Sequence, residues 1–164
     1  MIQRLLLSDF QSIFEVVNDA AQSYKGVIPT DRWKEPYMQV EEVKAEIADG
    51  VDFYGWIEDG VLTGIMGMQR VRDVTLIRHA YVLTARQRGG IGAKLLGYLL
   101  SMAQTRQILV GTWEAAWWAI HFYVKHGFRL VSKEESNRLL RDYWSIPERQ
   151  IETSVVLKLL ANHS

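Results

Sequence analysis

Cysteine is absent from the 164-residue chain. That excludes a disulfide framework, thiol catalysis and a zinc site with cysteine ligands. Net charge is absent as well, because 19 Lys and Arg stand against 19 Asp and Glu. A balanced chain has no bulk attraction for nucleic acid or an anionic membrane, so neither is expected as a partner. No apolar run is long enough to span a bilayer. The start, Met1-Ile2-Gln3-Arg4, lacks the charged, apolar and small-residue order of a secretory signal, so the expected location is cytoplasmic. There is no internal repeat, low-complexity tract or linker. The balance of 48% hydrophobic and 23% charged residues is that of an ordinary folded chain. Length and continuity together predict one domain over 1–164, with a core large enough to fold alone.

Hydrophobic spacing divides the chain into elements. Ile2 to Leu7 reads as a strand, and Ser8 or Asp9 as the cap of a helix through Ile13, Phe14, Val17 and Ala21. Gly26 and Pro29 break that helix, leaving a loop from Tyr24 to Pro29. Val40 to Ala48 reads as a second helix, closed by Asp49-Gly50. Val51 to Glu58 and Val61 to Val71 form the clearest hairpin, turning at Asp59-Gly60. Further strands are read at Val74 to Leu83, Ile108 to Trp113, Phe128 to Ser132 and Glu152 to Leu159, the last followed by a short tail. Further helices are read at Ile91 to Met102, Ala115 to His126, and Lys133 to Tyr143, which Pro147 ends.

The most informative stretch is Arg86-Gln87-Arg88-Gly89-Gly90-Ile91-Gly92, between a strand and a helix. The first N–H groups of a helix have no internal partner and carry partial positive charge. Glycines beside them let a bulky anion reach the main chain, so the stretch reads as a phosphate cradle. A Walker loop requires Ser or Thr after its Lys, but Leu95 follows Lys94. A dinucleotide fingerprint requires a small residue three after Gly92, and Leu95 stands there too. What fits is Gln-x-x-Gly-x-Gly at Gln87, Gly90 and Gly92; a glycine-rich helix start without a ligand has the same local form. This pattern resembles the pyrophosphate loop of the GNAT superfamily of acyl-CoA-dependent N-acetyltransferases. A second run, Ala119-Ile120-His121-Phe122-Tyr123-Val124-Lys125-His126-Gly127-Phe128, resembles that superfamily's Ala-Ile-x-Phe-Tyr-x-Lys-x-Gly-Phe at every named position. The order of strands and helices also matches.

The resemblance implies an α/β fold: a mixed, twisted sheet flanked by helices, with a splay between its fourth and fifth strands. It implies acetyl-CoA as cosubstrate, no metal, and transfer of the acetyl group to a primary amine, here expected on a small molecule. The pyrophosphate belongs to Gln87, Arg88, Gly89, Gly90, Ile91, Gly92 and Ala93. The pantetheine belongs to the main chain of Tyr81, Val82 and Leu83, pairing like an added strand. Arg86 and Arg88 stand at the rim, as arginines of a merely solvated loop would. Many members have Pro where this chain has Thr84. Tyr123 matches the family's proton donor to the departing thiolate; a half-buried tyrosine anchoring the helix is the plainer reading. Histone-type members place a glutamate where this chain has Leu76, so that base is missing. Glu114 is the candidate base, against a role as an N-cap or first-turn helix acid, and members of the superfamily can also use a water chain with no single essential base.

Other residues have less specific readings. His79 shares a strand face with Ile77, Tyr81 and Leu83, and reads as a core or edge histidine ahead of a proton relay. Trp113, Trp117 and Trp118 cluster around the start of the second motif helix, as core or as lining of the CoA or acceptor site. The segment from Asn137 to Gln150 lengthens the link between the last two strands, as a structural flap, a dimer contact or an acceptor contact. A last strand lying exposed after that link is expected to pair with a second copy, giving a homodimer. Readings from other classes are a CoA-binding sensor without turnover, a protein N-terminal acetyltransferase, and a purely structural domain.

Overall fold

A computed structural model of the chain describes residues 1–161. The expected tail therefore falls, from residue 162 on, outside the described residues. Two compact units divide the chain. One holds Met1–Ser23, Lys34–Arg70 and Ile77–Ala103; the other holds Tyr24–Trp33, Val71–Leu76 and the chain from Gln104 onward.

In the first unit, β1 (Ile2–Arg4), β2 (Asp52–Glu58) and β3 (Val61–Val71) pair antiparallel in turn. The β2–β3 turn has positive φ at both Asp59 and Gly60, 50° and 76°, the backbone that a tight hairpin requires. Helices α1 (Phe10–Ala20) and α2 (Val40–Ala48) bury Ile13, Val16, Val17 and Val43 against Phe53 and Ile65. The strand β4 (Val74–Val82) leads to α3 (Ile91–Met102), which buries Ile91, Leu95, Leu96 and Leu99. Alternation along β3 places α3 on the opposite face from α1 and α2, because a Cβ at Gly64 would meet Ile91 and Leu95 while its neighbour Ile65 lies in the α1–α2 core. The first strand is shorter than its apolar run. Leu5 turns inward while Leu6 and Leu7 are 60% and 54% exposed, and Leu7–Asp9 form a 3-10 turn. Asp9 does not cap α1 with its side chain; its carboxylate accepts from the Leu6 N–H at 2.7 Å.

In the second unit, β5 (Gln107–Trp113) pairs antiparallel with β7 (Ser154–Leu160) along its full length. Helix α4 (Trp117–Lys125) precedes β6 (Arg129–Leu130), which is reduced to two residues because Val131 turns into the core and Ser132 opens α5 (Lys133–Tyr143). Glu114 and Ala115 form a turn, so α4 begins later than its composition suggests. Pro147 does not end α5; it opens a further helix, α6 (Glu148–Glu152), too short to show a period. Leu139, Leu140 and Ile151 pack with Val74, Leu76, Leu109 and Val156.

Among the described residues, seven strands form one mixed sheet in the order β1-β2-β3-β4-β5-β7-β6, with β4 and β5 parallel and helices flanking it. The last strand is thus not at an edge. Beyond it lies β6, the Val131 N–H donates to the Val156 carbonyl at 3.2 Å, and the Val156 N–H donates to Ser136 Oγ at 2.9 Å. The free edge on which pairing with a second copy was expected is covered by these partners. Among the described residues no helix is long and apolar enough to cross a membrane.

Ser132 caps α5 through its hydroxyl, which accepts from the Glu135 N–H at 3.1 Å. Ser132→Ala is expected to lower the free energy of unfolding by about 1 kcal/mol. Urea titration checks this, and an unchanged midpoint would leave the cap without weight.

Candidate functional site

The first unit carries the glycine loop. The N–H of Leu83 still reaches across to the Thr63 carbonyl at 2.8 Å. The chain then leaves the sheet in a 3-10 turn, Thr84–Arg86, whose first N–H donates to Asp19 on α1 at 2.8 Å. Gln87 bends back and its side-chain amide donates to the Val82 carbonyl at 3.2 Å, tying the loop to the end of β4. Arg86 leans toward Glu58 at 3.5 Å. Arg88 and Gly90 both have left-handed backbones, with φ of 70° and 79°. Gly90 is the N-cap of α3, and no side chain caps that helix. The first α-helical bond of this turn runs from the Lys94 N–H to the Gly90 carbonyl at 3.0 Å.

Thr84 through Gly90 are all exposed, and a Cβ built on Gly90 would meet nothing within 4 Å. The main-chain donors of Ile91, Gly92 and Ala93 therefore begin a helix with no side-chain acceptor, approached across glycine. That is the arrangement an anion needs at a helix start. Gln87 acts within the loop as a clasp, and Lys94 turns its ammonium over the Trp56 ring, 4.8 Å from the centroid. Neither contact was legible in the spacing.

The approach strand is irregular. His79 has φ of 55°, a left-handed value uncommon outside glycine. His79, Tyr81 and Leu83 do turn to the α1–α2 side, where Phe53 meets the His79 ring at 5.8 Å. Ile77 does not share that face, because Arg78 and His79, though consecutive, both reach Glu46 on α2. The side-chain alternation breaks between them.

The second unit carries the other motif. Tyr123 is 4% exposed, edge-on to Phe122 and Phe128 at 5.1 and 5.4 Å between ring centroids. Burial pushes its phenol well above the ordinary value, and Tyr24 adds to the rise. Much of the Phe-Tyr-x-Lys-x-Gly-Phe run is a helix terminus. The Phe128 N–H donates to the Tyr123 carbonyl at 3.0 Å, the Gly127 N–H donates to the Val124 carbonyl at 3.1 Å, and Gly127 has φ of 93°. This is the Schellman pattern, which needs the glycine and packs the following apolar residue back on the helix.

Glu114 is half-exposed in the turn after β5. Its N–H donates to the Thr153 carbonyl at 2.9 Å and its carboxylate stands 3.8 Å from the Lys133 ammonium. It is neither an N-cap nor within α4. The tryptophans do not act as one cluster. Trp113 is buried, Trp117 is 71% exposed, and Trp118 packs between Trp117 and a stacked Tyr24. The long link is folded and tied down. The Tyr143 hydroxyl donates to Asp73 at 3.0 Å, and Arg149 forms two bonds to Asp31, at 2.9 and 3.1 Å. Among the described residues no group of three or more His, Cys, Asp or Glu is placed to hold a metal ion.

Residues 18–142 match the family profile described as an acetyltransferase (GNAT) domain. Solved structures with a similar fold include PaiA N-acetyltransferase from Thermoplasma acidophilum in complex with coenzyme A, 16% identical, with 98% of each chain covered and a TM-score of 0.75. The ribosomal-protein-S18-alanine N-acetyltransferase from Escherichia coli is 14% identical over 100% of this chain and 95% of its own, with a TM-score of 0.72. The N-acetylglutamate synthase from Neisseria gonorrhoeae, complexed with coenzyme A and N-acetyl-glutamate, is 16% identical over 99% of this chain and 35% of its own, with a TM-score of 0.70. No curated protein sequence matches the chain.

Proposed function

Because the chain belongs to the GNAT acetyltransferase family, we propose that it transfers the acetyl group of acetyl-CoA to a primary amine carried by a small molecule. The observation that carries this reading is the exposed, uncapped start of α3 behind Gly90. A pyrophosphate fits there without displacing a side chain, held by the N–H groups of Arg88 through Ala93 with Arg88 at the rim. Acetyl-CoA supplies an acetyl group activated as a thioester. The main chain of Tyr81, Val82 and Leu83 serves the pantetheine, and an N–H near Val82 polarises the thioester carbonyl.

Transfer forms a C–N bond to the amine and breaks the C–S bond of the thioester. The amine must shed a proton, for which Glu114 offers a solvent-reached carboxylate. The departing sulfur must gain one, for which Tyr123 holds a phenol that stays protonated across the working range. A small acceptor suits a chain without net charge, which offers no long-range attraction to a charged macromolecule.

Calorimetry with CoA and thiol release from acetyl-CoA with a panel of amines test the reading together. Expected are saturable CoA binding and amine-dependent thiol release, strongest with small primary amines. Binding without release for any amine would point to a sensor, release only with peptides bearing a free N-terminus would move the acceptor to protein, and absence of binding would overturn the reading.

A further inference from the structure

The irregularity in β4 is held from outside the strand. In an even strand successive side chains point to opposite faces. Here Glu46 Oε2 lies 3.0 Å from Arg78 Nη1 and 3.0 Å from His79 Nε2, so two consecutive residues meet one oxygen. The left-handed backbone at His79 makes that geometry attainable. Arg78 also donates to Gln69 Oε1 at 3.1 Å, and the Gln69 amide donates to the Asp49 carbonyl at 3.0 Å. A ring of ion-pair and hydrogen-bond contacts thus runs from α2 to β4, on to β3, and back to the end of α2. The side chains of Arg78, His79 and Glu46 are 19%, 14% and 23% exposed, so these charges interact in a partly dried setting. Burial works against the charged form of Glu46, yet the hydrogen bond and charge of His79 and the charge of Arg78 outweigh it and hold the carboxyl below its ordinary value.

The neighbouring strand is shaped to match. A Cβ on Gly67 of β3 would stand 2.9 Å from the Arg78 carbonyl, so the displaced main chain needs glycine opposite it. Nothing in the local sequence, Ile77-Arg78-His79-Ala80, asks for a left-handed residue. A non-glycine residue persists in that conformation only where its surroundings over-determine it.

We infer that Glu46 is a positioning residue for acetyl transfer: by gripping Arg78 and His79 together, its carboxylate fixes the bend in β4 and so the direction of Tyr81, Val82 and Leu83. This rests on the proposed role of those three residues toward acetyl-CoA. Glu46 is assigned to act through Arg78 and His79. Loss of its charge leaves the glycine loop intact and misdirects the strand that feeds it.

The test compares wild type, Glu46→Gln and Gly67→Ala in the full chain by kinetics, CoA calorimetry and backbone amide spectra. Gly67→Ala displaces the bend from the neighbouring strand β3 and covers the case in which Glu46→Gln fails to fold. Expected for each folded variant is a kcat about tenfold or more lower, since small misplacements of reacting groups are costly. The Kd for CoA is expected to rise by less than kcat falls, because pyrophosphate binding is unchanged while the pantetheine contacts of Tyr81, Val82 and Leu83 weaken. The amides of Ala80 through Leu83 are expected to shift. Wild-type kcat with unshifted amides would overturn the inference. So would parallel loss of kcat, CoA affinity and melting temperature, which marks a general packing role. If wild type itself neither binds CoA nor releases thiol, the functional reading fails; the amide shifts still report whether Glu46 holds the bend.

Discussion

Tyr123→Phe is expected to lower kcat roughly a hundredfold, at the lower end of what a general acid contributes. The lower end applies for two reasons. A departing thiol with a pKa of about 8.5 makes a modest demand for a proton. Burial also raises the phenol well above its ordinary value, which keeps the proton in place near neutrality but weakens the donor. The substitution removes one oxygen and leaves the ring, whose edge-on contacts with Phe122 and Phe128 supply most of the packing. The Kd for CoA is therefore expected to hold within about threefold, and the melting temperature to stay near wild type. Rapid-quench kinetics with saturating amine separates the outcomes. An unchanged kcat would make Tyr123 an anchor of α4 and give the proton to water. A fall in melting temperature together with CoA affinity would assign the hydroxyl to structure.

Gly90→Val is expected to weaken CoA binding by tenfold or more, about 1.4 kcal/mol upward. Gly90 has φ of 79° and open space where its Cβ would stand. A Cβ there meets no protein atom within 4 Å, so the expected loss has two sources: strain in the left-handed backbone and obstruction of the approaching pyrophosphate. Gly60 separates them. It has φ of 76° and equally open surroundings, but lies in the β2–β3 turn. Gly60→Val carries the strain without the obstruction, so it is expected to lower stability and leave CoA affinity unchanged. Equal affinity losses in the two variants would mean that strain alone is being measured, and the cradle assignment would fall.

Several elements were legible because their determinants are local. The helices Val40–Ala48, Ile91–Met102 and Lys133–Tyr143 lie where apolar spacing and end signals place them. Asp59-Gly60 turns as its residue types require. The first strand was overread because an apolar run does not say which of its leucines will find a core. Leu5 does, while Leu6 and Leu7 stay exposed. The second motif was legible as a pattern, but its glycine and final phenylalanine also have a local explanation as a helix end.

The amino-acid sequence by itself determined most of the series of elements, the glycine turn that opens α3 and the family to which the chain belongs, since propensity, turn chemistry and short motifs act over a few residues. The tertiary structure alone decided which strand lies inside the sheet. Whether β7 is an edge depends on β6 and Ser136 reaching it, and strand pairing across such separations leaves no local mark. It also decided that Tyr123 is buried and that β4 bends at His79. A left-handed histidine in a strand contradicts local preference. It stands because Glu46, 33 residues earlier in the chain, is brought within 3.0 Å of its ring by the packing of α2 on the sheet.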